Sequence, residues 1–141
     1  MFLANRRKQV KALPIQFTIT GEPASKANSR RWIGPGKLIK SQKALDYKDL
    51  FALQCPYLET PSMKNIWVTM KIFYGSLRPD LDESLILDLM QGQLYKNDRQ
   101  VKHKLVSHGL DRGNARTIIR IEEVEDDFDL SEAVLSPPPR V

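Results

Sequence analysis

Three aspartates with cationic neighbours are the residues of this sequence best suited to chemistry. Asp80 and Asp82 lie in the segment RPDLDE (78–83), and Asp98 lies in YKNDRQ (95–100). Both segments stand between apolar runs, where side chains from different elements can converge on one cleft. Carboxylates hold hard divalent cations, and Lys and Arg hold phosphates. The combination is typical of a metal-dependent enzyme that acts on a polyanion.

The spacing of these acids allows two interpretations. On an extended chain Asp80 and Asp82 point to the same side, so they could share one cation or bracket two. A Mg²⁺ site needs few protein carboxylates, because water and substrate phosphate supply the remaining ligands. The structural alternative is that Asp80 and Glu83 form a helix capping box and that Asn97-Asp98 is an ordinary turn. Spacing alone favours this alternative.

A basic loop supplies candidate phosphate ligands. Residues 26–37 combine cations with Trp32; Arg can bind phosphate bidentately, and Trp32 could stack on an unpaired base. The alternative is a solvated loop whose Trp32 packs on the core. The candidate DNA-binding residues are Lys26, Asn28, Arg30, Arg31, Arg78, Lys96 and Arg99.

The charge is unevenly distributed along the chain. The net charge is +5 over 141 residues, but the segment from Glu122 onwards holds seven acids and one base. The first 121 residues therefore carry 21 bases and 10 acids, a balance of +11. With no amphipathic basic helix apparent, this favours nucleic acid over a membrane surface as partner. No apolar run is long enough for a membrane span, so we expect a cytoplasmic protein.

The elements that must position these residues follow from periodicity. Alternation predicts strands at 15–20 and 66–74. The apolar side of the second strand is predicted to comprise Ile66, Val68, Met70, Ile72 and Tyr74. Residues 21–37 are typical of a long irregular loop. Ser41 is predicted to cap a helix over about 42–54. The apolar side of that helix is predicted to comprise Ala44, Leu45, Leu50, Phe51 and Leu53.

The second half of the chain predicts a helix over 82–91, ended by Gly92, and strands at 99–108 and 115–124 that form a hairpin. Asp88 in that helix could face solvent or the cleft. Cys55, the single cysteine, is expected to be a buried thiol, and His103 and His108 to be ordinary strand residues.

These elements predict an α/β or α+β domain with a small mixed or antiparallel sheet of about four strands and two main helices. The predicted organisation is a basic arm at residues 1–13, a folded domain at 14–124 and a mobile, acidic and proline-rich tail at 125–141. The arrangement is consistent with one domain of this length.

Four segments resemble, in the same order, motifs of the RusA-type Holliday junction resolvase family, the crossover junction endodeoxyribonucleases common in phages and prophages. The segment PASKANSR (23–30) is similar to the P-x-S-x-N-x-x-R loop of that family, and RPDLD (78–82) to its R-x-D-x-D segment. The segment DLMQG (88–92) resembles D-A-L-x-G, and YKNDRQV (95–101) resembles Y-x-D-D-R-Q-V. The resemblance spans about residues 14–124.

The resemblance implies a RusA-like fold and a homodimeric endonuclease that needs Mg²⁺, for which Mn²⁺ could substitute. Such an enzyme makes paired hydrolytic nicks across a four-way DNA junction in recombination and repair, in the cytoplasm of a bacterial host. By matching position, Asp80, Asp82 and Asp98 are the implied catalytic and metal-binding aspartates. Arg78 matches a basic position beside them.

Two departures from the family pattern leave an alternative open. The family usually reads D-x-D-N-x-x-K, whereas no Lys follows Asp82 before Lys96. In addition, Asn97 stands where the family often has an acid. Either another cation, such as Lys26 or Lys96, takes the role of the missing Lys, or the chain is a branched-DNA binding protein with weak or no nuclease activity. A third interpretation is a basic interaction protein whose acids only cap a helix and form a turn.

Overall fold

The structure, a computed structural model, describes residues 7–24, 30–35, 37–77 and 83–125, with the backbone alone at 30–33 and 37–40. In chain order its elements are β1 (Gln9–Val10), β2 (Ile15–Thr20), β3 (Arg30–Gly34), β4 (Lys37–Lys40), α1 (Gln42–Gln54), β5 (Tyr57–Leu58), β6 (Asn65–Tyr74), α2 (Glu83–Met90), a 3₁₀ turn (Asp98–Gln100), β7 (Val101–Leu110) and β8 (Arg116–Val124).

Strand β6 forms the centre of the main sheet. Its inward residues are at most 2% exposed, as the alternating pattern predicts, and they are Ile66, Val68, Met70, Ile72 and Tyr74. The strand order is β2-β8-β6-β7, with β6 antiparallel to β8 and parallel to β7. A parallel pair needs a crossover connection, and α2 lies in it. The result is a mixed four-stranded sheet with two helices, which confirms the predicted fold class.

The first helix has the predicted limits but a different buried side. Ser41 caps α1 by accepting a hydrogen bond from the Ala44 amide at 3.2 Å. The buried residues are Ala44, Tyr47 and Phe51, which fall on one narrow stripe at 3.6 residues per turn. The prediction for Leu45, Leu50 and Leu53 is wrong: they are 38%, 38% and 50% exposed, because they are spread around the rest of the helix.

The second helix is shorter than the predicted range. It runs from Glu83 to Met90 and buries Leu85, Ile86, Leu87 and Met90 against the sheet core. Gly92 follows it with a φ of +83°, a left-handed conformation that favours glycine and ends the helix, as predicted.

The predicted hairpin of the last two strands is wrong. Strands β7 and β8 exist, but β6 lies between them, and β8 pairs with both β2 and β6. Burial explains the order. In β8, Thr117, Ile119 and Ile121 are fully buried, whereas β7 has no buried residue and exposes Lys102 and Lys104. The more apolar strand therefore takes the interior position and the charged strand takes the edge.

Two further segments differ from the predictions. Part of the predicted loop at 21–37 forms β3, which pairs antiparallel with β4 at the end of the loop, with an irregularity between Trp32 and Gly34. The described end of the predicted basic arm is attached to the body, because β1 pairs in parallel with β5 and the Arg7 guanidinium lies 4.7 Å from the Tyr57 ring centroid.

The acidic C-terminal segment begins inside the sheet. In β8, Glu122 pairs with Arg120 at 2.8 Å, and Glu123 accepts a hydrogen bond from the Ser62 hydroxyl at 2.5 Å. Residues 126–141, which make up most of the predicted tail, lie outside the described residues. Among the helices that the structure describes, none has the length and apolar character required to cross a membrane.

Candidate active site

Asp98 is an exposed acid in a turn that does not use its carboxylate. It opens the 3₁₀ turn, and Asn97 caps that turn by accepting a hydrogen bond from the Arg99 amide at 2.9 Å. The interpretation of Asn97-Asp98 as turn chemistry is thus confirmed for Asn97. The Asp98 carboxylate forms no hydrogen bond or ion pair with any residue that the structure describes, so it is available to a ligand.

Gln100 fixes this turn to the rest of the domain. Its side-chain oxygen accepts a hydrogen bond from the Asn97 amide at 2.8 Å, which completes a capping box. Its amide nitrogen donates to the carbonyl oxygens of Ser62 and Lys64 at 2.7 and 2.8 Å. One side chain therefore closes the turn and attaches it to the segment that leads into β6.

Gln91 attaches the same turn to the end of α2. Its side-chain oxygen accepts a hydrogen bond from the Asp98 amide at 2.8 Å. The Gln91 side chain thus fixes the Asp98 backbone directly, and the backbone carbonyls of Ser62 and Lys64 fix the turn through Gln100. An exposed carboxylate on a fixed backbone loses less conformational entropy when it binds an ion.

The buried Tyr95 phenol is close enough to Asp98 and Asp88 for their charges to affect its pKa. Burial raises the pKa of its phenol, and the negative charges of Asp98 and Asp88 nearby raise that pKa further. The phenol donates to the Leu87 carbonyl oxygen. Asp88 itself is exposed, as the solvent alternative predicts, but it also borders a groove between the helices. Both acids therefore lie near the C-terminal end of α2.

Cations flank Asp98 on both sides in the chain. Lys96 and Arg99 are exposed, and neither forms an ion pair with any residue that the structure describes. Unpaired cations on a surface attract phosphate, and the attraction weakens with salt. Of the predicted site residues, the structure brings together Lys96, Asp98 and Arg99.

The other predicted site residues are placed only in part. Asp80, Asp82, Arg78, Lys26 and Asn28 lie outside the described residues. Arg30 and Arg31 begin β3, and their side chains lie outside the described part. Within the described residues, no three acids, histidines or cysteines are grouped as a metal site.

The remaining titratable candidates occupy structural positions. Cys55 is 1% exposed, and burial raises the pKa of its thiol to about 12. His103 lies in β7 beside Trp67, with ring centroids 5.4 Å apart, and His108 lies edge-on to Tyr74 at 6.2 Å. Both are strand residues, as predicted, and the thiol is buried, as predicted.

Gln91 and Gln100 are parts of this site that the sequence pattern did not predict. The spacing Asn97-x-x-Gln100 is that of a capping box and could have indicated the role of Gln100. The role of Gln91 depends on a contact with Asp98 seven residues later and has no local signal.

The chemistry of Asp98 fits a hard divalent cation. Its carboxylate supplies an oxygen ligand of the kind Mg²⁺ prefers, in an exposed position that leaves room for water and phosphate. In the comparisons with known proteins, no family model matches the chain and no curated protein matches it. The case for a function therefore depends on the residues and their geometry.

Proposed function

We propose that this protein is a metal-dependent, structure-specific endodeoxyribonuclease that cuts four-way DNA junctions by paired hydrolytic nicks. The observation that carries the proposal is the exposed carboxylate of Asp98, unpartnered in the described structure and held on a fixed backbone between Lys96 and Arg99. This acid lies in the segment that resembles the second acidic motif of the RusA-type resolvases.

The proposed roles follow from the chemistry of the side chains. Asp80, Asp82 and Asp98 would hold Mg²⁺ or Mn²⁺, and the bound cation would supply charge stabilisation for hydrolysis of a DNA phosphodiester. Lys96 and Arg99 hold neighbouring phosphates, and Arg78 lies in the first acidic segment. The products are a 5′-phosphate and a 3′-hydroxyl.

Further parts of the proposal concern the partners. Four-way junctions have near-twofold symmetry, so a twofold homodimer presents two such sites to them. Lys26, Asn28, Arg30 and Arg31 contact the DNA backbone, and recognition depends on branch shape more than on base edges. We place the protein in the cytoplasm of a bacterial host, in a phage or prophage context.

A branched-DNA binding protein with weak or no cleavage is the second candidate, and one observation favours it. Between Glu83 and Met90, α2 contains no cation that could act beside the aspartates.

One assay separates the two candidates. The purified protein is incubated with a synthetic four-way junction, a linear duplex and a single strand, each with Mg²⁺, with Mn²⁺ and with EDTA. Cleavage of the junction alone, and only when Mg²⁺ or Mn²⁺ is present, supports the nuclease. Tight junction binding without product in either metal refutes the nuclease and leaves the binding protein. Asp82→Asn should abolish cutting and spare binding.

A further inference from the structure

A groove between the two helices has the features of a ligand site. It encloses about 300 Å³, a size at the lower limit of small-molecule sites. Phe51, Cys55 and Leu89 give it an apolar floor, and Asp88 and Gln91 stand at its edge. The same Gln91 accepts the hydrogen bond from the Asp98 amide, so the groove adjoins the candidate active site.

Two cations, Lys48 and Arg7, border this groove, and neither forms an ion pair with the residues that the structure describes. Lys48 is exposed and forms no ion pair with the described residues. Arg7 donates from Nε to the Cys55 carbonyl oxygen at 3.2 Å and from Nη2 to Gln93. Because a guanidinium has five N–H donors, three remain after these two bonds. The groove therefore presents a free ammonium and a fixed, incompletely used guanidinium to an anion.

The two cations stand at different ends of the groove. Lys48 lies on α1 and Cys55 is the C-terminal cap of that helix, seven residues later, about two turns or about 10 Å along the helix axis. Arg7 is bonded to the Cys55 end, so one cation lies at each end of an apolar floor. Asp88 and the amide of Gln91 add a hydrogen-bond acceptor and a donor along the side. A planar, polar-edged base between two phosphates matches this arrangement.

We propose that the groove binds one unpaired nucleotide of a DNA strand. The base lies on the apolar floor with its polar edge toward Asp88 and Gln91, and the phosphates on either side of it bind Lys48 and Arg7. The groove admits a single base, so the nucleotide must be unpaired or extruded from its duplex. This inference rests on the proposed action on DNA, because a DNA strand would lie beside the groove only if the protein binds DNA at Asp98.

The test measures binding in EDTA, so that it does not depend on a metal or on cleavage. The full-length chain, labelled with ¹⁵N, is titrated with each of the four deoxynucleoside 3′,5′-bisphosphates, with the matching 5′-monophosphates and with inorganic phosphate. We expect at least one bisphosphate to bind about tenfold more tightly than inorganic phosphate and severalfold more tightly than its monophosphate. The shifted amide signals should include those of Ala52 and Gln91.

Variants connect the binding to the groove. Lys48→Ala should weaken bisphosphate binding by about threefold to tenfold, since a charge-assisted contact is lost. Ala52→Trp, an exchange at an exposed position of α1 that borders the groove, should abolish it. Lys102→Ala removes an exposed cation from the edge strand β7 and should leave bisphosphate binding unchanged.

Three outcomes would overturn the inference: no bisphosphate binds more tightly than inorganic phosphate, the monophosphates bind equally well, or the Lys48 and Lys102 variants weaken binding equally. The failures remain distinguishable. Junction cleavage by a chain that binds no bisphosphate refutes the groove site alone, and bisphosphate binding by a chain that cuts no junction refutes the nuclease alone.

Discussion

Gln100 offers the sharpest test of how the turn around Asp98 is held. Gln100→Ala removes two hydrogen bonds to the carbonyl oxygens of Ser62 and Lys64 and one from the Asn97 amide. Such bonds contribute about 0.5–1.5 kcal/mol each, and exposure places these toward the lower end. We therefore expect the free energy of unfolding to fall by about 2 kcal/mol. For a domain of this size the melting temperature should fall by roughly 6–10 °C.

Gln100→Glu separates the two functions of this side chain. Glutamate can still accept the bond from the Asn97 amide, but its carboxylate faces two carbonyl oxygens to which it cannot donate. The folded state then favours the protonated carboxyl, which raises the pKa of that group above its value of about 4.3 in the unfolded chain. The stability deficit relative to the natural protein should therefore be full above the raised pKa and shrink as the pH falls through it.

Thermal unfolding followed by circular dichroism between pH 4 and 8 measures both variants. The matched control is Gln16→Ala, which removes an exposed glutamine side chain that forms no hydrogen bond with the part of the chain described. The reasoning is refuted if Gln100→Ala is no less stable than Gln16→Ala. It is also refuted if the deficit of Gln100→Glu grows as the pH is lowered.

Three further predictions concern single positions. The Cys55 thiol, buried and with its pKa raised to about 12, should react with a thiol reagent at pH 8 only as fast as the chain unfolds, and addition of denaturant should accelerate labelling by orders of magnitude. Ser41→Ala removes the cap on the Ala44 amide and should lower the unfolding free energy by about 1 kcal/mol in urea titrations, whereas Ser41→Asp should restore it. Gly21→Ala should cost about 1–3 kcal/mol in the same titrations, since the φ of +113° is strained for alanine and its methyl group would stand 2.5 Å from Leu50; an unchanged midpoint would contradict this.

Local pattern was sufficient to predict most elements, but not their neighbours. Ser41 and the limits of α1, strand β2 and the alternation of β6 all depend on residues close in sequence, and the structure confirms them. The pairing of β7 and β8 depends instead on which strand buries more apolar surface. The Lys side chains of β7 place it at the edge, while Ile119 and Ile121 place β8 in the interior.

The candidate site likewise combines local features, which the sequence can predict, with long-range contacts, which it cannot. The acid, its cap and its cationic neighbours lie within a few residues of one another, so the sequence could predict their association. The contacts that fix the turn reach across 36 to 38 residues from Gln100 to Ser62 and Lys64, and no periodicity could reveal them. Arg7, which precedes β1, and Lys48 on α1 likewise come to border one groove only in the folded chain.

We propose that Asp98 acts in metal-dependent cleavage of a DNA junction. The most direct measurement compares single-turnover cleavage of a labelled four-way junction by the natural protein, by Asp98→Asn and by Asp49→Asn, which alters an exposed aspartate of α1. Junction affinity is measured alongside in Ca²⁺ or EDTA. We expect Asp98→Asn to lose at least about 100-fold in cleavage rate, in line with the loss of a main source of transition-state stabilisation. This variant should still bind the junction normally, and Asp49→Asn should cut as the natural protein does. Equal cleavage by the two variants would contradict a role of Asp98 in the cleavage step.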